Sequence, residues 1–131
     1  MVAGDAGTTV LIVDDEPDIR LLVRMILEGA DSEVRIVAEA IDGTDALGVF
    51  ERLQAPPVPD VVVLDNRMPK MSGMDVARQL LTKVPSQHII LFSAYLDQRT
   101  AKEAASIGIG ACLAKDDINQ LPDVIRGMLK S

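Results

Sequence analysis

Aromatic residues are almost missing from this chain: Phe50, Phe92 and Tyr95 are the only ones among 131 residues, and there is no tryptophan. Any core must be built from Val, Ile, Leu, Met and Ala, and an apolar share of 48 % is enough to fill one domain of this length. Cysteine is nearly absent too. Cys112 alone cannot form an internal disulfide, so the fold holds without cross-links, as is usual in a reducing compartment. Basic residues are the minority, 13 against 20 acidic, for a net charge of −7. That excludes a general nucleic-acid binder, which needs a basic face to neutralise phosphates. Apolar runs long enough to span a membrane are missing, and the opening MVAGDAGTT lacks the basic and apolar regions of a signal peptide. The expectation is a cytoplasmic protein with no membrane partner and no direct nucleic-acid binding.

What the chain does have is alternation. Short apolar runs occur at Val10–Val13, Val34–Ala38, Val61–Leu64, Ile89–Phe92 and Ala111–Ala114. Between them lie segments with a period near 3.6 residues. Their apolar stripes are Ile19, Leu22, Val23, Ile26 and Leu27; Ala46, Val49, Phe50 and Leu53; Met74, Ala77, Leu80, Leu81 and Val84; Ala101, Ala104, Ala105 and Ile107; and Leu121, Val124, Ile125, Met128 and Leu129. The punctuation agrees. Asp15-Glu16-Pro17 can open the first helix, Ser72-Gly-Met-Asp75 has capping-box form before the third, and Asn119 can cap the fifth. Ala55-Pro-Pro-Val-Pro59 makes a stiff connector. No repeat or linker divides the chain, so residues 1–131 read as one domain with an ordered core of about 8–130.

Five βα units in succession predict an α/β fold: a doubly wound, five-stranded parallel sheet of order 2-1-3-4-5 with five helices, flavodoxin-like. Ligands in such sheets bind beyond the carboxyl ends of the strands. The residues found there are Asp14 and Asp15 after the first strand, Glu39 ending the edge strand, Asp65 after the third, Ser93 after the fourth and Lys115 closing the fifth. Adjacent strands lie roughly 4.8 Å apart, so Asp14, Asp15 and Asp65 crowd together. Three such carboxylates cannot all stay ionised alone, and a hard cation such as Mg²⁺ resolves the conflict. A carboxylate nucleophile, a cation, a hydroxyl donor and a lysine suit phosphoryl acceptance as an acyl phosphate.

These pieces, LIVDDEPDIR at 11–20, VVVLDNRMPKMSG at 61–73, ILFSAY at 90–95 and Lys115, resemble the receiver domain of two-component response regulators, the chemotaxis-regulator-like family. The resemblance runs from about Thr9 to Leu129. It implies that Asp65 takes phosphate from a histidine kinase or phosphotransfer protein, with Asp15 binding Mg²⁺ directly and Asp14 mainly through water. It also implies the backbone carbonyl of Arg67 as a metal ligand, and Ser93 and Lys115 on the phosphoryl oxygens. Output would pass through the fourth helix, fifth strand and fifth helix to an output domain or protein, or to a second copy of the chain. Such a domain is regulatory and assists only its own phosphorylation and dephosphorylation.

Two departures stand out. Asp116 follows the lysine where the family often has a cis proline, which leaves that peptide free to be trans. Cys112 stands where the family commonly has Tyr or Phe, and a thiol cannot perform the inward ring movement of that position. The switch is therefore expected to use Ser93 and the loop carrying Tyr95. Two other functions compete. A scaffold that is never phosphorylated would have no use for the acid set. An aspartate-nucleophile phosphohydrolase usually needs a second Asp two residues after the nucleophile, and Arg67 occupies that place.

Overall fold

The five apolar runs become five parallel strands of one sheet, in the order β2-β1-β3-β4-β5, in a computed structural model that describes residues 7–30, 33–53 and 58–130. The strands are β1 (Thr8–Val13), β2 (Val34–Ala40), β3 (Val61–Leu64), β4 (His88–Ser93) and β5 (Ala111–Ala114). The helices between and after them are α1 (Pro17–Ala30), α2 (Gly43–Arg52), α3 (Gly73–Lys83), α4 (Gln98–Ile107) and α5 (Leu121–Lys130). The expected architecture and strand order are both present.

The period of two along each strand divides the core between the two faces of the sheet. Leu11, Val13, Val62, Leu64, Ile89 and Leu91 point toward Phe50 of α2, Leu80 of α3 and Ala104 of α4. Val10, Ile12, Val61, Val63, Ile90 and Phe92 point toward Val23 and Leu27 of α1 and Leu121 and Ile125 of α5. All four residues of β3 are buried, as a central strand covered on both faces requires. The two phenylalanines sit one in each half, both fully buried.

Short polar side chains start the helices. Pro17 is the first residue of α1, where its missing N–H costs nothing. Asp42, Ser72 and Asp97 accept the N–H of Asp45, Asp75 and Thr100 and so cap α2, α3 and α4, each worth about 1 kcal/mol. Gly108 ends α4 in the left-handed region at φ +102°, which a Cβ would disfavour.

Several expectations need correction. Glu39 does not end its strand: β2 runs one residue further, to Ala40, and Glu39 is ion-paired to Arg20 and Arg24 of α1. Leu22 does not join the buried stripe of α1; it is 44 % exposed beside the still more exposed Leu21 and Met25. On α4 only Ala104 is buried, and Ala105 faces outward. Lys115 does not close β5 but opens a 3₁₀ segment over Lys115–Gln120. Asn119 lies inside that segment rather than at the start of α5, while Pro122 does fall in the first turn of α5. The Ala55–Pro57 part of the proline connector lies outside the described residues.

Candidate functional site

Strand register brings the acids together. Val13 pairs with Leu64, so the next residue on each strand, Asp14 and Asp65, lies side by side at the carboxyl edge of the sheet. The β1–α1 turn adds Asp15, and oxygens of Asp14, Asp15 and Asp65 all lie within 4.8 Å of one another. Asp14 and Asp65 are buried, while Asp15 is exposed at the mouth.

Lys115 arrives from the far side. Its Nζ stands 2.9 Å from Asp14 Oδ2, 3.4 Å from Asp65 Oδ2 and 3.2 Å from Glu16 Oε1. Burial opposes the charge on this ammonium, but the surrounding carboxylates outweigh it and raise its pKa. Burial likewise pushes the carboxyl of Asp65 up to about 6, and the neighbouring charge of Asp14 adds to the effect. Asp14 is raised as well, again chiefly by burial. One ammonium does not satisfy the two acids. Asp14 Oδ2 is buried and has no hydrogen bond, since Lys115 approaches it as an ion pair outside hydrogen-bonding geometry. Three carboxylates converging within 4.8 Å, with a single ammonium between two of them, are the donor set a hard divalent cation takes, so the residues present fit Mg²⁺.

The other expected residues stand around this centre. The Arg67 N–H reaches Asp65 Oδ1 at 3.4 Å, which folds the backbone after β3 against the carboxylate. Ser93 is the last residue of β4 and is buried, but its hydroxyl is engaged elsewhere. It donates to the Tyr95 carbonyl at 3.0 Å and accepts the Tyr95 N–H at 3.3 Å. Tyr95 is 68 % exposed, and the Arg67 guanidinium lies 4.5 Å from its ring centroid. Cys112 is not at this centre. It packs half-buried against the core on the α2–α3–α4 side, and burial raises its thiol pKa.

Four supporting features are not announced by the sequence pattern. Gly73 lets α3 press against the end of β3: a Cβ there would sit 2.2 Å from the Asp65 carbonyl oxygen. The same junction is tied by the Asn66 side chain, which accepts the Met74 N–H at 3.1 Å. On the other flank, Arg20 donates to the Asp14 carbonyl at 2.8 Å. Leu21, Leu22 and Met25, a turn or two into α1, form an exposed apolar patch beginning just beyond the acid-bearing turn. Exposure of three large apolar side chains on one helix is visible only once the fold decides which face is covered.

Comparison with known proteins gives one answer. The family model "Response regulator receiver domain" matches residues 10–126. The chain is 35 % identical over 98 residues to chemotaxis protein CheY of Listeria monocytogenes, covering 75 % of this chain and 77 % of that protein. It is 33 % identical over 119 residues to a protein-glutamate methylesterase/protein-glutamine glutaminase of Hahella chejuensis, covering 89 % of this chain and 32 % of that protein. It thus spans only about a third of the methylesterase it matches. Among solved structures, the signal receiver domain of NarL from Mycobacterium tuberculosis superposes with a TM-score of 0.83 at 29 % identity, covering 95 % of this chain and 98 % of that one. Among the described residues, no helix is long and apolar enough to cross a membrane.

Proposed function

The chain belongs to the response regulator receiver family of two-component signalling, and from that premise we propose that Asp65 is its phosphoacceptor and that Asp14, Asp15, Asp65 and the Arg67 carbonyl hold Mg²⁺. The observation that carries this reading is the convergence of three acids within 4.8 Å, with Lys115 at 2.9 and 3.4 Å from two of them.

A carboxylate oxygen of Asp65 attacks the phosphorus of a phosphohistidine on a histidine kinase or phosphotransfer protein. The P–N bond breaks, the imidazole leaves, and an acyl phosphate forms on Asp65. A cation held by Asp14, Asp15 and Asp65 would supply positive charge to offset that of the phosphoryl oxygens and of the acids around them. Lys115, already oriented toward Asp65, keeps its ammonium on the phosphoryl group. The product carries about −1.5 to −2 charges where a single carboxylate stood, and draws further donors toward it.

Ser93 is the nearest such donor on β4, and it has to release Tyr95 to serve. Movement of the loop after Ser93 is therefore the first step of output here, in place of a ring swinging at Cys112. That loop leads into α4, whose one fully covered side chain is Ala104, so little apolar contact resists its displacement. The face of α4, β5 and α5 is then the surface on which an output domain, an output protein or a second copy of the chain reads the state. The unphosphorylated and phosphorylated forms are two positions of one equilibrium.

The test uses Mg²⁺ and a small-molecule phosphodonor with intact-mass detection. One phosphoryl group should be added, and Asp65→Asn should abolish it. Labelling that survives the substitution, or that proceeds equally with the metal chelated, would sink the assignment.

A further inference from the structure

Two of the three acids at the site are visibly held, and the third is not. Asp14 Oδ1 accepts the Glu16 N–H at 2.9 Å, and Asp65 Oδ1 accepts that of Arg67 at 3.4 Å. The Asp15 side chain is exposed and makes no hydrogen bond or ion pair among the described residues. Only its backbone aims it. The peptide plane bearing the Asp15 N–H also bears the Asp14 carbonyl, and the two cannot turn independently. That carbonyl accepts a hydrogen bond from an Arg20 guanidinium nitrogen at 2.8 Å.

Arg20 is itself clamped. Its Nε donates to Glu39 Oε1 at 2.9 Å, and its side chain is only 15 % exposed. The second oxygen of Glu39 is taken by Arg24 at 2.6 Å. Hydrogen bonds from Arg24 and Arg20 hold the Glu39 carboxyl below the usual carboxylate range, so it remains an anion at neutral pH. The neighbouring residue of β2, Ala40, accepts the Asp14 N–H at 3.1 Å. Asp14 is therefore anchored to β2 through both of its backbone polar groups, once directly and once through Arg20 and Glu39.

We propose that Arg20, clamped by Glu39, is a positioning residue that fixes the Asp14–Asp15 peptide plane and so presents the Asp15 carboxylate to a divalent cation. The inference rests on the Mg²⁺ reading above. Two simpler roles give different results. A guanidinium acting only through its charge would repel a cation, so its removal would tighten binding. A tie that only joins α1 to β2 would, when cut, lower the melting temperature of the metal-free protein and leave cation affinity unchanged.

The experiment titrates Mg²⁺ into metal-free wild type, Arg20→Met and Glu39→Gln by calorimetry, and records the metal-free melting temperature of each. Loss of a partner one step behind a metal ligand typically weakens binding 10–100-fold, and an increase in Kd of about tenfold is expected in both variants. An Arg20→Met Kd at or below that of wild type overturns the proposal. Should that variant fail to fold, Glu39→Gln decides by the same criterion, because it keeps the shape of the clamp and removes only its charge. A wild type that binds no Mg²⁺ overturns the cation reading itself, and is recognised as such before any variant is compared.

Discussion

The Arg67 guanidinium lies over the Tyr95 ring, 4.5 Å from its centroid, and so links the turn after β3 to the loop after β4 across the mouth of the site. On the proposed function, a gate formed by this pair would slow the water that hydrolyses an acyl phosphate on Asp65. An exposed cation–π contact is worth about 0.5–1 kcal/mol, which sets how often the cover opens. Arg67→Ala and Tyr95→Ala should each speed loss of the phosphoryl group by roughly two- to fivefold, and the double variant should be no faster than either. The decay of purified phosphoprotein checks this, and an unaltered rate in both single variants refutes the gate.

The acids give the metal-free protein an unusual response to pH. The carboxyl of Asp65 titrates at about 6 when folded, against 3.8 when free, because burial and the charge of Asp14 favour its protonated form. In this window the native state binds more protons than the unfolded chain, so stability falls as pH rises. Its contribution is fully present below about 4 and is lost as pH passes through about 6. Glu39, Asp42 and Asp97 are shifted downward, and their stabilisation is lost only at lower pH, so the two effects separate. Denaturant unfolding in chelator from pH 4.5 to 7.5 should show the decline. Asp65→Asn should flatten it and raise stability at pH 7, and added Mg²⁺ should restore wild type most at the high end.

Strand order, the acid pocket and the lysine were legible in the sequence because they depend on short-range facts. Val61–Leu64 is too apolar to be anything but a central strand, and a parallel sheet puts whatever follows each strand at one edge. What failed depended on which neighbours cover which face. Leu22 has the right period for burial, yet α1 is covered along a narrower strip by Val23 and Leu27. Glu39 looked like a strand end because acids rarely sit inside strands, and only the two arginines of α1 make that place tolerable. The engagement of Ser93 with Tyr95, and of Arg20 with the Asp14 carbonyl, are backbone contacts that carry no residue signature.

Gly73 is a position where one methyl group should disable the site without touching its chemistry. An added Cβ would stand 2.2 Å from the Asp65 carbonyl oxygen and 2.8 Å from the Asn66 Cα, and both obstacles are backbone. Either α3 or the end of β3 must move. Overpacking of this kind costs about 1–3 kcal/mol. Gly73→Ala should lower stability within that range and also slow labelling by a small phosphodonor, since the displaced residue is the proposed phosphoacceptor. Labelling at the wild-type rate would show that α3 alone yields.

Leu21 and Met25 are 56 % and 60 % exposed, on the helix that starts immediately after the acid-bearing turn. Burying either side chain would stabilise the folded chain, so their exposure has a cost that a partner surface would relieve. On the proposed function, the partner approaching this mouth would be the protein carrying the phosphohistidine, and an apolar contact beside the site would hold its imidazole in line with Asp65. Leu21→Ser with Met25→Ser should change stability by less than about 0.5 kcal/mol per substitution, as surface positions usually do. Labelling by a small phosphodonor should be unchanged, because the pocket itself is intact. Transfer from a phosphorylated kinase or phosphotransfer protein should slow about tenfold, the size of a loss of about 1.4 kcal/mol in docking. Rapid-quench transfer assays read the two rates side by side. Equal slowing with both donors would place the defect in the pocket, and no slowing with either would remove this face from the docking surface.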